Sequence, residues 1–335
     1  MNKILKGACI VAMVALAFTS CKKNDNKNLT FIATAEEVTV VNDEDRAYLD
    51  PAIASTPIFE QGEQVMLYNI YEEGDVTPHS YYGVYTARTT GPRVLFDYQS
   101  GPIVYHTERQ DDGAFFGFYP GQRVNNAFLA QSNVAVFDIP TVQIYREING
   151  KGVFAERSWA MAAKTATVDN IEDEFYFNFK NIMGALCLKP RTNGEQKTVT
   201  SIVFEDKTFN ITGDVHLKIH EINPDEMLWL FNNYNPASDT YMQRLNQYIT
   251  ATGYFVDGNK GKTITLDCGE GVVIDGTGNK PFYIVLRPLA WYNGCIITFN
   301  FADGTKAIID NNLSRTMAPN MVRNITTNVD NYMVP

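Results

Sequence analysis

The sequence predicts an all-β protein built as two tandem β-sandwiches, and three observations predict it. Short runs of β-branched and aromatic residues recur along most of the chain. Turn formers punctuate them at close spacing, as in Glu72-Glu73-Gly74-Asp75, Gly91-Pro92, Gly101-Pro102 and Asp111-Asp112-Gly113. Only residues 224–230 and 241–248 have helical character, and both stretches are short. A βαβ fold needs an amphipathic helix between successive strands, whereas closely spaced strands with turn residues between them stack as sheets.

Taken in order, Leu29, Phe31 and Ala33 alternate with polar or small neighbours, and Val38, Val40 and Val41 follow, giving one or two short strands before the acidic Asn42-Asp43-Glu44-Asp45. Residues 65–71, 81–85, 94–98, 103–106 and 114–119 continue the pattern. In the second half Phe175, Phe177 and Phe179 alternate strictly enough to share one buried face. Residues 186–188, 199–204, 215–222, 263–266, 282–286 and 295–301 follow as strands. Asp303-Gly304 is a strong hairpin turn, joining 295–301 to 306–309. The polar stretch Asp169-Asn170-Ile171-Glu172-Asp173-Glu174 is the best linker. It divides the chain into an N-terminal sandwich, 47–170, and a C-terminal one, 171–335.

The first residues read as an export signal. Lys3 and Lys6 are followed by an apolar run over 10–18 and then by Thr19, Ser20 and Cys21. That run is about half the ~20 residues a membrane-spanning helix needs. Phe18-Thr19-Ser20-Cys21 resembles the lipobox of bacterial lipoproteins, which implies acylation of Cys21 as the new N-terminus of a lipid-tethered, exported chain. Residues 1–21 are thus the lipoprotein signal, ending at its cysteine. The polar residues 22–28 form a tether.

Composition excludes several classes of function. The 335 residues carry a net charge of -10, which argues against a nucleic-acid partner, because phosphate neutralisation needs clustered Lys and Arg. Of five cysteines, Cys9 lies in the signal and Cys21 is the lipid site. Cys187, Cys268 and Cys295 remain, an odd set that is no disulfide framework. At most one bridge can form, and position alone favours Cys268 with Cys295. There is no GxSxG, HExxH or GxGxxG motif and no convincing nucleophile or acid/base set, so neither an enzyme nor a cofactor is expected. Gly276-Thr277-Gly278-Asn279-Lys280 looks superficially like a phosphate loop, but Pro281 stands where Ser or Thr belongs, and a hairpin turn fits better. His216 and His220 would share a strand face, yet no carboxylate lies between them at the metal-binding spacing. The acidic run 42–45 lacks the glycine and glutamate of an EF-hand loop. No metal is expected. The 18 Tyr and 20 Phe suit sandwich cores. The sequons at Asn210, Asn312 and Asn324 carry little meaning beside a bacterial lipoprotein signal.

Arg46 closes the acidic run in Asp43-Glu44-Asp45-Arg46-Ala47-Tyr48, ahead of Pro51 and Pro57. An arginine in such a loop suits a trypsin-like protease. Cutting between Arg46 and Ala47 would remove residues 21–46, lipid and first strand together. Here the chain resembles the fimbrillins, or type V pilins, of Gram-negative anaerobes. The resemblance rests on the lipoprotein start, Phe31-Ile32-Ala33-Thr34, Phe59-Glu60-Gln61-Gly62-Glu63-Gln64-Val65 and Ala114-Phe115-Phe116-Gly117-Phe118-Tyr119-Pro120. It continues through residues 177–186 to Pro319-Asn320-Met321-Val322-Arg323-Asn324-Ile325.

The resemblance implies two transthyretin-like sandwiches, removal of the first strand by an arginine-specific protease, and assembly with other fimbrial subunits by donor-strand exchange at the cell surface. Leu29, Phe31, Ala33, Val38 and Val40 would plug the groove until cleavage. The short tail after Arg323-Asn324 favours an accessory or tip subunit, with host or bacterial surface ligands as further partners. The residues leave a second class open, a surface-anchored glycan-binding lipoprotein of a nutrient-uptake system. Clustered exposed tryptophans would favour that class, but Trp159, Trp229 and Trp291 are far apart in sequence.

Overall fold

The computed structural model describes residues 30–35, 37–42, 58–71, 79–101, 115–121, 134–148, 150–155, 158–164, 175–218, 255–256, 260–291, 293–313, 315–317 and 320–334. The expected strand at 103–106, the helical stretches at 224–230 and 241–248, the acidic residues 43–45, His220 and Trp229 lie outside the described residues.

The described residues are almost entirely strand. The first half holds β1 (Thr30–Ala35), β2 (Thr39–Asn42), β3 (Gln64–Tyr71), β4 (His79–Ala87), β5 (Arg93–Ser100), β6 (Phe115–Tyr119), β7 (Val134–Ile139), β8 (Val142–Ile144), β9 (Arg146–Ile148), β10 (Lys151–Val153) and β11 (Met161–Lys164). Next come β12 (Phe175–Asn181), β13 (Gly184–Arg191), β14 (Lys197–Asp206), β15 (Gly213–Lys218), β16 (Phe255–Val256), β17 (Thr263–Ile274) and β18 (Phe282–Leu286). β19 (Leu289–Trp291), β20 (Cys295–Phe301), β21 (Lys306–Asn311), β22 (Arg315–Met317) and β23 (Met321–Asn328) lead to a 3-10 turn over Val329–Tyr332 and to β24 (Met333–Val334).

Seven strands close into a barrel in the order β1-β12-β11-β6-β3-β4-β5, with β5 returning to β1. Its interior is aromatic. Phe31, Tyr85, Phe96, Phe118, Phe177 and Phe179 are buried, placed inward by the alternation of their strands, and Phe59, held by an isolated bridge to Gly91, is buried with them. The expected linker at 169–174 falls between β11 and β12, and these two strands pair with each other. β7 also pairs with β15, and β8 with β17, across the same point in the chain.

The remaining large sheets are a four-stranded one, β18-β13-β23-β2, and a six-stranded one, β24-β21-β20-β14-β17-β8. Leu186, Ile284 and Val322 of the first join Ile202, Phe204, Ile264 and Phe299 of the second in one apolar core that also runs into the barrel. The turn at Asp303-Gly304 joins β20 to β21, as the sequence predicts. The Asp303 carboxylate accepts the Thr305 N–H at 2.9 Å, and Gly304 has φ 83°. Gly276–Lys280 differs from the expected hairpin. The strands it joins belong to different sheets, since β17 pairs with β14 and β18 with β13, so it is a connection between layers.

The Cys268–Cys295 pairing that position alone favours is not formed: Cys187, Cys268 and Cys295 are free, buried thiols. The reason is register. Cys268 follows Asp267, which sits opposite Ser201 on β14, while Cys295 sits opposite Asp206 on the other side of that strand. One strand and several ~3.3 Å steps along it separate two sulfurs that must lie about 2 Å apart to bond.

Candidate functional site

The seam of the barrel is β1. Its sequence Thr-Phe-Ile-Ala-Thr-Ala buries every second residue, with Phe31 2%, Ala33 0% and Ala35 6% exposed. β1 is paired along both edges. It runs antiparallel to β5, from Thr30 opposite Asp97 to Thr34 opposite Arg93. It runs parallel to β12, from Phe31 opposite Phe175 to Ala35 opposite Phe179. No other described strand joins β5 to β12.

The pockets along the seam differ in size. The Phe31 ring lies between three others, 4.9 Å from Phe177, 5.0 Å from Tyr85 and 5.1 Å from Phe96. Phe96 stacks on it and the other two meet it edge-on, the geometries that aromatic quadrupoles favour. Ala33 sits in the row between Val94 and Phe177, and Ala35 sits opposite Phe179. The Phe179 ring crosses the barrel towards β6, where a Cβ added to Gly117 would lie 2.8 Å from its Cζ. Large rings on β12 therefore meet small residues on β1 and on β6. Outside the barrel, Arg88 grips Asp97 with two hydrogen bonds of 2.9 and 2.5 Å, which brace β4 against β5 and hold the guanidinium above its ordinary pKa.

After β1 the chain passes from the barrel to the four-stranded sheet. Val38 is buried, and β2 then lies parallel to β23 at the edge of the four-stranded sheet, with Val40 opposite Val322. A chain of amides holds the crossing. The Trp159 indole Nε1 donates to Asn181 Oδ1 at 2.5 Å, and Asn181 Nδ2 donates to Asn320 Oδ1 at 2.6 Å. Asn320 Nδ2 donates in turn to the Glu37 carbonyl at 2.9 Å. Asn320 is in the left-handed region, φ 62°, which asparagine tolerates better than other side chains. Its own N–H donates to the Met183 carbonyl at 2.8 Å.

Of the residues singled out from sequence, the structure places Phe31 and Ala33 on β1 in the barrel, and Val38 and Val40 before and on β2 beside the four-stranded sheet. Cys21, Leu29, Arg46 and Ala47 lie outside the described residues. The pockets' own residues, Tyr85, Val94, Phe96, Trp159 and Asn320, were not singled out as contacts. For Tyr85, Val94 and Phe96 the only signal was alternation within their strands, which gives a face without naming a partner; Trp159 and Asn320 lie just outside strands and carried none. Trp159 is buried and so offers no surface for a sugar ring.

Two other polar clusters lie away from the seam. Glu63 accepts from the Tyr119 hydroxyl at 2.6 Å, and Arg146 donates to Glu60 at 2.7 Å, tying the loop before β3 to β9. Burial, reinforced by Glu63, pushes the Tyr119 hydroxyl well above its ordinary range. At the end of β14, Asp206 accepts the Thr208 and Phe209 N–H groups at 2.7 Å. Burial raises the pKa of that carboxyl, and it lowers the Arg287 guanidinium to about 10. Among the described residues, no group of three or more His, Cys, Asp and Glu side chains is placed to hold a metal ion.

No protein-family model and no curated protein matches the sequence. Solved structures align with the chain at low identity and with TM-scores below 0.5. One, named a "putative cell adhesion protein" from Bacteroides uniformis, is 14% identical with a TM-score of 0.47, over 93% of this chain and 96% of that one. A fimbrial protein from Bacteroides ovatus is 11% identical with a TM-score of 0.37, over 91% of this chain and 49% of that one. This chain thus spans about half of that protein's length. The tip fimbrial protein Mfa3 from Porphyromonas gingivalis, with C-terminal truncation, is 9% identical with a TM-score of 0.34, over 90% of this chain and 94% of that one. What those proteins do is a property of those proteins.

Proposed function

We propose that the chain is a structural and adhesive subunit of a cell-surface fimbria, an accessory or tip component, assembled by donor-strand exchange. It is exported as an outer-membrane lipoprotein acylated at Cys21 and cut between Arg46 and Ala47 by an arginine-specific protease. Residues 1–21 are its signal and 22–46 its propeptide, followed by two β bodies. Its partners are other fimbrial subunits, with surface ligands of host or bacterial origin, and the lipid anchors it only before cleavage.

One observation carries this reading. The segment ahead of Arg46 contains β1, which is paired along both edges and supplies buried side chains to the barrel. Removing it would expose the facing edges of β5 and β12 together with an apolar trough. Edges in that state are templates for another strand, and an added strand satisfies backbone and trough together. Removal of β2 would also free one edge of β23.

Mass spectrometry of the protein from its native cells tests the reading. An Ala47 N-terminus in sheared surface filaments, lost in an Arg46→Ala strain, is the expected result. Intact, membrane-held protein that keeps an acylated Cys21 would overturn it.

A further inference from the structure

We propose that the trough left by residues 30–42 selects its occupant by pattern. It takes a strand with an aromatic residue at the place of Phe31, small residues at those of Ala33 and Ala35 and an aliphatic one at that of Val38, with Asn320 gripping the backbone carbonyl at the place of Glu37. The inference rests on the strand-exchange reading and adds which strand fits.

The pockets define the pattern. Three aromatic rings within 5.1 Å of the Phe31 ring leave a slot of aromatic shape. Ala33 is 0% exposed between Val94 and Phe177. A larger side chain there has no free volume to enter, because protein interiors are packed at crystal density. Ala35, opposite Phe179, is under the same constraint.

Asn320 fixes the register. It reads a main-chain carbonyl, so it is indifferent to the occupant's side chains, but it places one residue at the crossing between the two bodies. A shift of one residue would turn the apolar set outward. Asn320 acts on the occupant's position and is in that sense a positioning residue. Residues 321–334 of this chain do not match the pattern: their only aromatic, Tyr332, is followed two places on by Val334. Residues 321–334 of a second copy are thereby excluded, and the occupant we infer is a strand of another fimbrial subunit that carries the pattern.

The test uses the full exported chain, cut after Arg46 and incubated with fluorescein-labelled peptides of residues 28–44 at temperatures up to the onset of unfolding. Gel filtration reads peptide uptake and mass spectrometry reads loss of the original fragment. The native peptide should replace the fragment. Peptides carrying A33L or A35L should bind at least tenfold more weakly, and one carrying F31A about a hundredfold or more. Asn320→Asp keeps the side chain's shape and lacks the donor; it should speed release of every peptide about tenfold without changing their ranking. Asn320→Gly, which suits the positive φ and also lacks the donor, should do the same, separating the hydrogen bond from backbone strain. Failure of the native peptide to enter overturns strand exchange and this inference together. Equal uptake of the native and A33L peptides overturns selection by pattern and leaves strand exchange standing. Unchanged release from both Asn320 variants overturns the role given to Asn320.

Discussion

Truncating Phe31 to alanine in the uncut chain should cost more stability than any other single change in the N-terminal segment. The ring is 2% exposed and touches three aromatic neighbours, each centred within 5.1 Å. Phe→Ala in a core typically costs about 3–5 kcal/mol, the loss growing with the cavity that remains. This cavity cannot collapse easily, because its walls belong to three strands held in register by one barrel. We therefore expect about 4 kcal/mol. With a urea m-value of ~3 kcal/mol/M for a chain of this size, the midpoint should fall by about 1.3 M. The assay is urea unfolding followed in parallel by fluorescence and far-UV circular dichroism, since coincident curves establish that the barrel unfolds as a unit. Ile32→Ala is the internal control: Ile32 points to the other side of the strand and is only partly buried, so about 1 kcal/mol is expected. A loss below ~1 kcal/mol for Phe31→Ala, or an equal loss for Ile32→Ala, would refute the register of β1.

Gln143→Ala should destabilise by about 2–4 kcal/mol, because the buried amide both donates to the Val285 carbonyl at 2.8 Å and accepts the Val285 N–H at 2.9 Å; thermal melts would show it, and an unchanged Tm would contradict the bridge. Gly294→Ala should cost more than ~3 kcal/mol and depress soluble yield. Gly294 has φ 79°, and an added Cβ would lie 1.7 Å from the Asn311 carbonyl oxygen. Stability should fall steeply between pH 9 and 11. Burial raises the Cys187 thiol to about 11 and those of Cys268 and Cys295 to about 12. The unfolded chain loses these protons from about pH 9 while the folded one keeps them, so the stabilisation is complete below pH 9 and is lost as pH rises towards the folded values. The slope approaches about 4 kcal/mol per pH unit for the three thiols together. Urea midpoints that stay flat from pH 8.5 to 10.5 would show the thiols to be accessible.

Much of the strand framework is legible in the residues, for a local reason. Phe175–Asn181, Cys295–Phe301 and Lys197–Asp206 alternate because each has one wet and one dry face. β1 is legible for the same reason, through Phe31 and Ala33. Its neighbours are not. β12 lies more than a hundred residues along the chain and pairs parallel to β1, and periodicity assigns a face to each strand without saying which strands meet. The amide chain from Trp159 to Asn320 is likewise invisible, because asparagine and tryptophan are assigned to turns and cores by type and nothing in sequence couples the three positions. β8 is three residues long, too short to show a period, yet its middle residue Gln143 joins two sheets. The missed features are those that depend on contact between distant segments.

The two strands ahead of Arg46 differ in what each supports. β1 is internal, and its loss removes a partner from β5 and from β12, so two facing edges of the barrel are opened. β2 is at the margin of its sheet, and its loss affects β23 alone, which keeps β13 on its other side. The Asn320 amide sits at the junction, holding the carbonyl of Glu37 between them. An occupant that filled only the place of β1 would close the barrel and leave both the β23 edge and the Asn320 donor without a partner from that segment. One that filled only the place of β2 would leave the barrel open. A strand long enough to run from the place of β1 to that of β2 would satisfy all three features together.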